Sequence, residues 1–241
     1  MKFFVVLLPC LFSLTASFSQ GARPDSIINI QVKNAVDLYN TYTGGNAPIY
    51  NGKEYIYYHF IMEGDPFFIT VELSNGWVGY AGRIYVPVRL GYDIQRNQVT
   101  IASADNFSRI VLNNELVDSF YFSGHTFIRL KEDYKQNLNT TGFYDLLYNG
   151  RMTLLARRIK LMEDVIKDNT VVHVFTEKDR FYIHKDGLYY LVSNKKEAFR
   201  LFADKQHQVK KMLRRAHIKI NRKNFETGVQ KAVEFYDQLT H

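Results

Sequence analysis

Between Glu54 and Leu130 the apolar side chains recur at every second position, and this constrains the fold more than any other feature of the chain. A period of two gives a strand one apolar face and one wet face. Tyr55 to Phe60 reads as a first strand and Phe67 to Leu73 as a second, ended by a hairpin turn at Asn75-Gly76 and answered by Trp77 to Tyr80. Ile84, Val86, Val88 and Leu90 alternate with Tyr85, Pro87 and Arg89, so Pro87 predicts an edge position or a bulge. Ile94, Val99 and Ile101 continue the pattern around Gln95-Arg96-Asn97. Leu116 to Phe122 turns at Gly124 into Phe127 to Leu130. Short strands separated by turns at regular intervals predict an antiparallel sheet, a meander or an open sandwich.

The pattern breaks at Thr141 to Tyr148, which reads as a short helix capped by Thr141 and stopped by Asn149-Gly150. Met152 to Ala156 is apolar throughout and predicts a central strand running into Ile159 and Leu161. Val171 to Phe175 and Phe181 to His184 are further strands, and Asp186-Gly187 turns the chain into Leu188 to Val192. Three helices then follow. Asn194 with Glu197 starts one over 195–202, Asp204 caps a second over 205–217, and Asn224 caps a third over 225–239. The expected fold class is α+β: a strand-rich part over 54–193 and a helical part over 194–241 packed on it, in one domain spanning 20–241. A short helical spacing at Val32 to Tyr39 and a loop from Thr43 to Pro48 precede the strands.

The first nineteen residues read as a signal peptide. Lys2 precedes an apolar run from Phe3 to Leu14, and Thr15-Ala16-Ser17-Phe18-Ser19 offers cleavage after Ser19. The expected setting is therefore the periplasm or the exterior. Cys10 is the single cysteine and would leave with this segment, which excludes disulfides and thiolate chemistry from the mature chain. Pro9 before it and apolar residues after it argue against lipidation. No later stretch reaches the ~18 apolar residues of a membrane helix.

Chemistry is sparse. There is no Gly-x-Ser-x-Gly elbow and no His-Glu-x-x-His, and the glycines match no phosphate loop. Ser123-Gly124-His125 places a serine beside a histidine, but triad members come from separate segments. His173 and His184 fall on neighbouring expected strands, where they would face each other but fall short of a zinc shell. No cofactor or metal site follows. Asp93, His125 and Asp145 are the first positions to test for hydrolysis, which needs carboxylates gathered across a cleft. Tyr55, Tyr57, Tyr58, Tyr85, Tyr92, Tyr189 and Tyr190 offer stacking surfaces wherever they point outward.

The net charge of +7 has one main source. Lys205, Lys210, Lys211, Arg214, Arg215, Lys219, Arg222 and Lys223 lie within 205–223 with no acid among them. On the second helix Val209, Met212, Leu213 and Ala216 form an apolar stripe. Lys210, Lys211, Arg214 and Arg215 take the remaining faces and are the candidate docking residues for an anionic surface. Such a surface is an anionic membrane, an acidic glycan or an envelope protein. Nucleic acid reads the same charge, but export argues against it.

Three segments carry a resemblance: Tyr50-Asn51-Gly52-Lys53-Glu54-Tyr55, Tyr80-Ala81-Gly82-Arg83-Ile84-Tyr85 with Leu90-Gly91-Tyr92-Asp93, and Gly142-Phe143-Tyr144-Asp145-Leu146-Leu147-Tyr148-Asn149-Gly150. With the basic tail, they make the chain resemble an uncharacterised family of secreted Bacteroidota proteins. That resemblance implies an envelope or extracellular setting and assigns no activity or site residue. The expectation is a non-catalytic binding protein. A glycan or peptide hydrolase and a structural component of an envelope assembly are the alternatives.

Overall fold

The computed structural model describes residues 47–240. The signal segment with Cys10, the helical spacing at Val32 to Tyr39 and the loop up to Asn46 lie outside the described residues.

The chain runs through β1 (Lys53–Glu54), β2 (Met62–Glu63), β3 (Ser74–Tyr80), β4 (Arg83–Asp93), β5 (Gln98–Ala102), β6 (Arg109–Val111) and β7 (Val117–Phe122). It continues through β8 (His125–Leu130), β9 (Gly142–Asn149), β10 (Thr153–Arg157), β11 (Lys160–Lys167), β12 (Thr170–Glu177), β13 (Arg180–Lys185) and β14 (Leu188–Val192). It ends in α1 (Lys195–Leu201), α2 (Gln206–Arg215) and α3 (Phe225–Leu239). Eleven strands form one antiparallel sheet in the order β1-β6-β5-β4-β3-β7-β8-β9-β10-β13-β14. β11, β12 and β2 form a second sheet, in which β2 joins β12 in parallel. The fold class is α+β, as the patterning predicts.

Two large cores and a smaller third lie along the large sheet. The first is aromatic: Tyr92, Phe120, Phe122, Phe127 and Phe143 pack with Val78, Leu90 and Ile101. The Tyr92 ring meets Phe120, Phe127 and Phe143 edge-on at 5.2–5.8 Å. The second core joins Leu154, Ile183 and Val192 of the strands to Phe202, Val209, Leu213, Val229 and Val233 of the helical tail. Each such fully buried side chain contributes about 1.5–3 kcal/mol. Leu155 faces the opposite way, onto Tyr144 and Tyr182. β10 is thus covered on both faces, as the unbroken apolar run of Met152 to Ala156 predicts.

Several expected elements differ. Tyr55 to Phe60 is not a strand: Tyr55 N–H bonds to Arg109 O, and the rest of the segment is held by side chains. Asn75-Gly76 is not a turn but lies inside β3. Gly76 is there because a Cβ would fall 1.8 Å from the Tyr121 carbonyl oxygen. The turn comes at Ala81-Gly82, both with positive φ. Phe67 to Leu73 is irregular, with Ile69 at φ 64° between Phe68 O and the Thr70 N–H that bonds to it. The segment expected as a helix over Thr141 to Tyr148 is strand from Gly142 onward. Phe143, Tyr144 and Asp145 are all buried, so both faces of β9 are covered and the period of two is lost. Leu161 does not extend β10 but belongs to β11 in the other sheet.

Other expectations hold. Pro87 sits at a bulge, where β3 shifts register between Gly76 and Val78, on the part of β4 that β5 does not pair. The Ser123-Gly124 and Asp186-Gly187 turns close hairpins. Asn194 Oδ1 accepts from Glu197 N–H, and Glu197 accepts from Ser193 N–H in return. The other two caps do not form as expected. Asp204 accepts from the Tyr236 hydroxyl rather than capping α2, and Asn224 closes a capping box with Asn221 one turn before α3.

Candidate functional site

α2 lays its Val209–Leu213 stripe on the sheet-borne core, and this alone decides where its charges go. With those two side chains inward, Lys210, Lys211, Arg214 and Arg215 all face solvent. Among the described residues none of the four is ion-paired to a carboxylate. Lys210 Nζ donates only to Gln206 Oε1, at 2.8 Å. The structure thus brings the four predicted docking residues onto one exposed face.

It also adds to them. α1 packs beside α2, where Gln206 Nε2 donates to the Phe199 carbonyl at 3.0 Å. The ammonium groups of Lys195 and Lys210 lie 5.7 and 5.2 Å from the centre of the Phe199 ring. A shallow concavity of about 530 Å³ is lined there by Lys195, Lys196, Phe199, Arg200, Gln206 and Lys210. Lys195, Lys196 and Arg200 are exposed. Their charge is legible in the sequence, but their meeting with α2 depends on how the two helices pack. The α1 carboxylate, Glu197, is turned back to cap its own helix, which holds its pKa below the ordinary glutamate value.

A second cluster lies at the seam between the two cores. Asp145 is on β9 beside Phe127 and Ala156, with its side chain only 1% exposed. Its Oδ2 lies 2.8 Å from His125 Nδ1 and accepts from Arg158 Nε and Nη2 at 2.9 and 2.5 Å. Arg158 Nη1 donates to Asp179 Oδ2 and Glu226 Oε2, both at 2.6 Å. Burial opposes the Arg158 charge, but Glu226, Asp145 and Asp179 reverse this and raise its pKa above the ordinary arginine value. The Phe68 ring stands edge-on to His125 at 4.9 Å and under the Arg158 guanidinium at 5.4 Å. Spacing gives no signal for Arg158 and Glu226, because the cluster joins a β9 residue to the first turn of α3.

Asp93 belongs to neither cluster. β3, β7 and β8 separate its strand from Asp145 in the sheet order. It accepts from the Tyr55 hydroxyl at 2.8 Å and from Arg96 N–H at 2.9 Å, with the Tyr58 hydroxyl at 3.1 Å. Burial raises its pKa above the ordinary aspartate value, and these donors oppose that rise. The Arg96 guanidinium lies 3.7 Å from the Tyr58 ring centre. These contacts pin the segment expected as a first strand. They also turn Tyr55 inward, and Tyr85 and Tyr92 are buried too, whereas Tyr57 is exposed and Tyr58, Tyr189 and Tyr190 are half-buried.

The remaining histidines do not converge. His173 pairs with Asp164 in the small sheet at 2.7 Å, whereas His184 stacks on Tyr189 in the large one. Ser123 Oγ bonds to Ser74 Oγ rather than to His125. No group of three or more metal-binding side chains is formed among the described residues, and no helix there is long and apolar enough to cross a membrane. No protein-family model, curated protein or solved structure matches the chain.

Proposed function

We propose that this chain is a non-catalytic, exported binding protein that docks on an anionic membrane surface through the basic face of its helical tail. One observation carries the reading. Lys210, Lys211, Arg214 and Arg215 are all exposed on α2 without ion-pair partners among the described residues, and Lys210 shares a concavity with the equally unpaired Lys195, Lys196 and Arg200 of α1. A solvated helix face ordinarily mixes both signs, and this one does not. The N-terminal apolar run supports an envelope setting.

The test is co-sedimentation with phosphatidylglycerol vesicles against phosphatidylcholine vesicles. Each cation near an anionic bilayer is worth about 1 kcal/mol. Losing four therefore weakens binding by about a thousandfold at low salt. The K210E/K211E/R214E/R215E variant is expected to lose vesicle binding, and salt is expected to weaken the parent. Equal, salt-independent binding by both proteins would refute docking through this face.

The hydrolase reading has less support: Asp93 and Asp145 have separate partners, and His125 and Asp145 are engaged with Arg158 in a structural clamp. The assembly reading rests on the β11–β12 hairpin. Leu161, Met162, Val165, Ile166 and Val171 are exposed there, with Ile166 76% exposed. Ile166→Lys would shift a concentration-dependent oligomer toward monomer in analytical ultracentrifugation. A parent that stays monomeric at all concentrations removes self-assembly from consideration.

A further inference from the structure

We infer that a groove beside the basic face holds one acyl chain with an anionic head, a fatty acid being its simplest form. The groove lies between the edge strand β14, the start of α1 and the connection from α2 to α3, and its volume is about 800 Å³. That falls in the range of about 300–1,000 Å³ typical of small-molecule sites. Its walls are Phe181, Val192, Ile220 and Phe225, with the Phe181 and Phe225 rings edge to face at 5.4 Å. Leu191, half-exposed on the edge strand, stands at the mouth.

What the lining can offer a ligand follows from what is already used. Asn194 and Asn221 spend their side-chain oxygens on helix caps, and Ser193 N–H is bonded to Glu197. Asp179, the carboxylate in the lining, is bonded to Arg158 and to Ile159 N–H. Apolar surface, three exposed cations, Arg180, Lys195 and Arg222, and two polar groups, the Ser193 hydroxyl and Asn221 Nδ2, are left over. A sugar or a neutral polar molecule would find few open hydrogen-bonding partners here. A flexible apolar chain ending in a carboxylate matches the apolar walls and the charged rim: burial of its methylenes is worth about 0.8 kcal/mol each, and the rim supplies the counter-charge. Lys195 also lines the concavity on Phe199, so groove and basic face share a border.

The inference extends the docking proposal but is tested apart from it. Isothermal titration calorimetry of the full chain with decanoate is expected to show saturable one-to-one binding. 1-Decanol, the same chain without charge, is expected to bind at least tenfold more weakly. K195E/R222E and, separately, Leu191→Asp are each expected to weaken decanoate at least tenfold while thermal unfolding stays at the parent temperature. The K210E/K211E/R214E/R215E variant is expected to keep decanoate affinity within twofold even where vesicle docking is gone. Absence of saturable binding, equal affinity for the alcohol, or unchanged affinity in both groove variants would overturn the inference. Vesicle docking that persists without decanoate binding would leave the docking proposal standing and remove only the groove.

Discussion

Replacing Arg158 by Met tests the seam cluster most directly. The change keeps an apolar stem of similar length but removes the guanidinium that Asp145, Asp179 and Glu226 share. The three acids do not lose equally. Asp179 and Glu226 are 23% and 32% exposed and recover water, so each contributes little. Asp145, at 1%, cannot, and among the clustered side chains it keeps only the His125 imidazole, 2.8 Å from its Oδ2. Stranding one buried charge costs about 3–5 kcal/mol. At about 2–4 °C per kcal/mol for a chain of this size, the melting temperature should fall by roughly 6–20 °C. Differential scanning calorimetry at pH 7 measures this. A second variant separates lost charge from lost packing: adding Asp145→Leu to Arg158→Met should restore at least half of the loss, because the stranded carboxylate is then gone. A fall below about 2 °C for the single variant, or no recovery in the double, would refute the reasoning.

Three further predictions use the same physics. Burial holds the Asp93 pKa above its unfolded value, so the folded state binds this proton more tightly, and the protonated form's advantage fades as pH rises from about 4 through the folded value; Asp93→Asn should therefore gain stability relative to the parent between pH 4 and 7, and a pH-independent difference in urea midpoint would contradict this. Burial likewise lifts Tyr55, Tyr58 and Tyr92 above the ordinary tyrosine range and pushes Tyr144 up to about 12; the unfolded chain ionises first, so stability should fall as pH rises above about 10, and phenolate absorbance at 295 nm should include these four only as the protein unfolds. Gly76→Ala drives a methyl into the Tyr121 carbonyl and should cost about 1–3 kcal/mol or more by chemical denaturation, a loss that would be absent if the β3–β7 approach were wider.

The sequence displays its local grammar and hides its long-range geometry. Ser123-Gly124, Asp186-Gly187 and Asn194 with Glu197 are legible because each acts over a few residues. Asn75-Gly76 misleads because a glycine demanded by a neighbouring strand carries the same letter as one demanded by a turn. β9 misleads for a related reason. Its polar member, Asp145, is buried like its apolar neighbours, so alternation vanishes where the strand matters most. The basic residues of α2 are readable from composition alone. That Lys195, Lys196 and Arg200 join them follows from the packing around Phe199, which no short-range pattern encodes.

The buried polar groups bear on function through rigidity rather than chemistry. α3 is fastened to the sheet along its length: Glu226 in its first turn holds Arg158, Gln230 donates to Leu147 O, and Asp237 in its last turn accepts from the N–H groups of Arg151 and Met152. α1 and α2 rest on the same core as α3, through Phe199, Phe202, Val209, Leu213 and Val233. The cations that face outward are therefore carried by a scaffold that is pinned from within. Charges held in place lose less freedom on meeting a surface than charges on a loose tail. Arg158→Met should then weaken vesicle docking as well as stability, although Arg158 is buried at the seam: the variant, studied below its melting temperature, should show faster amide exchange across α3 and weaker binding to phosphatidylglycerol. Unchanged docking in a variant whose α3 exchanges freely would show that the basic face works by charge alone and needs no fixed geometry.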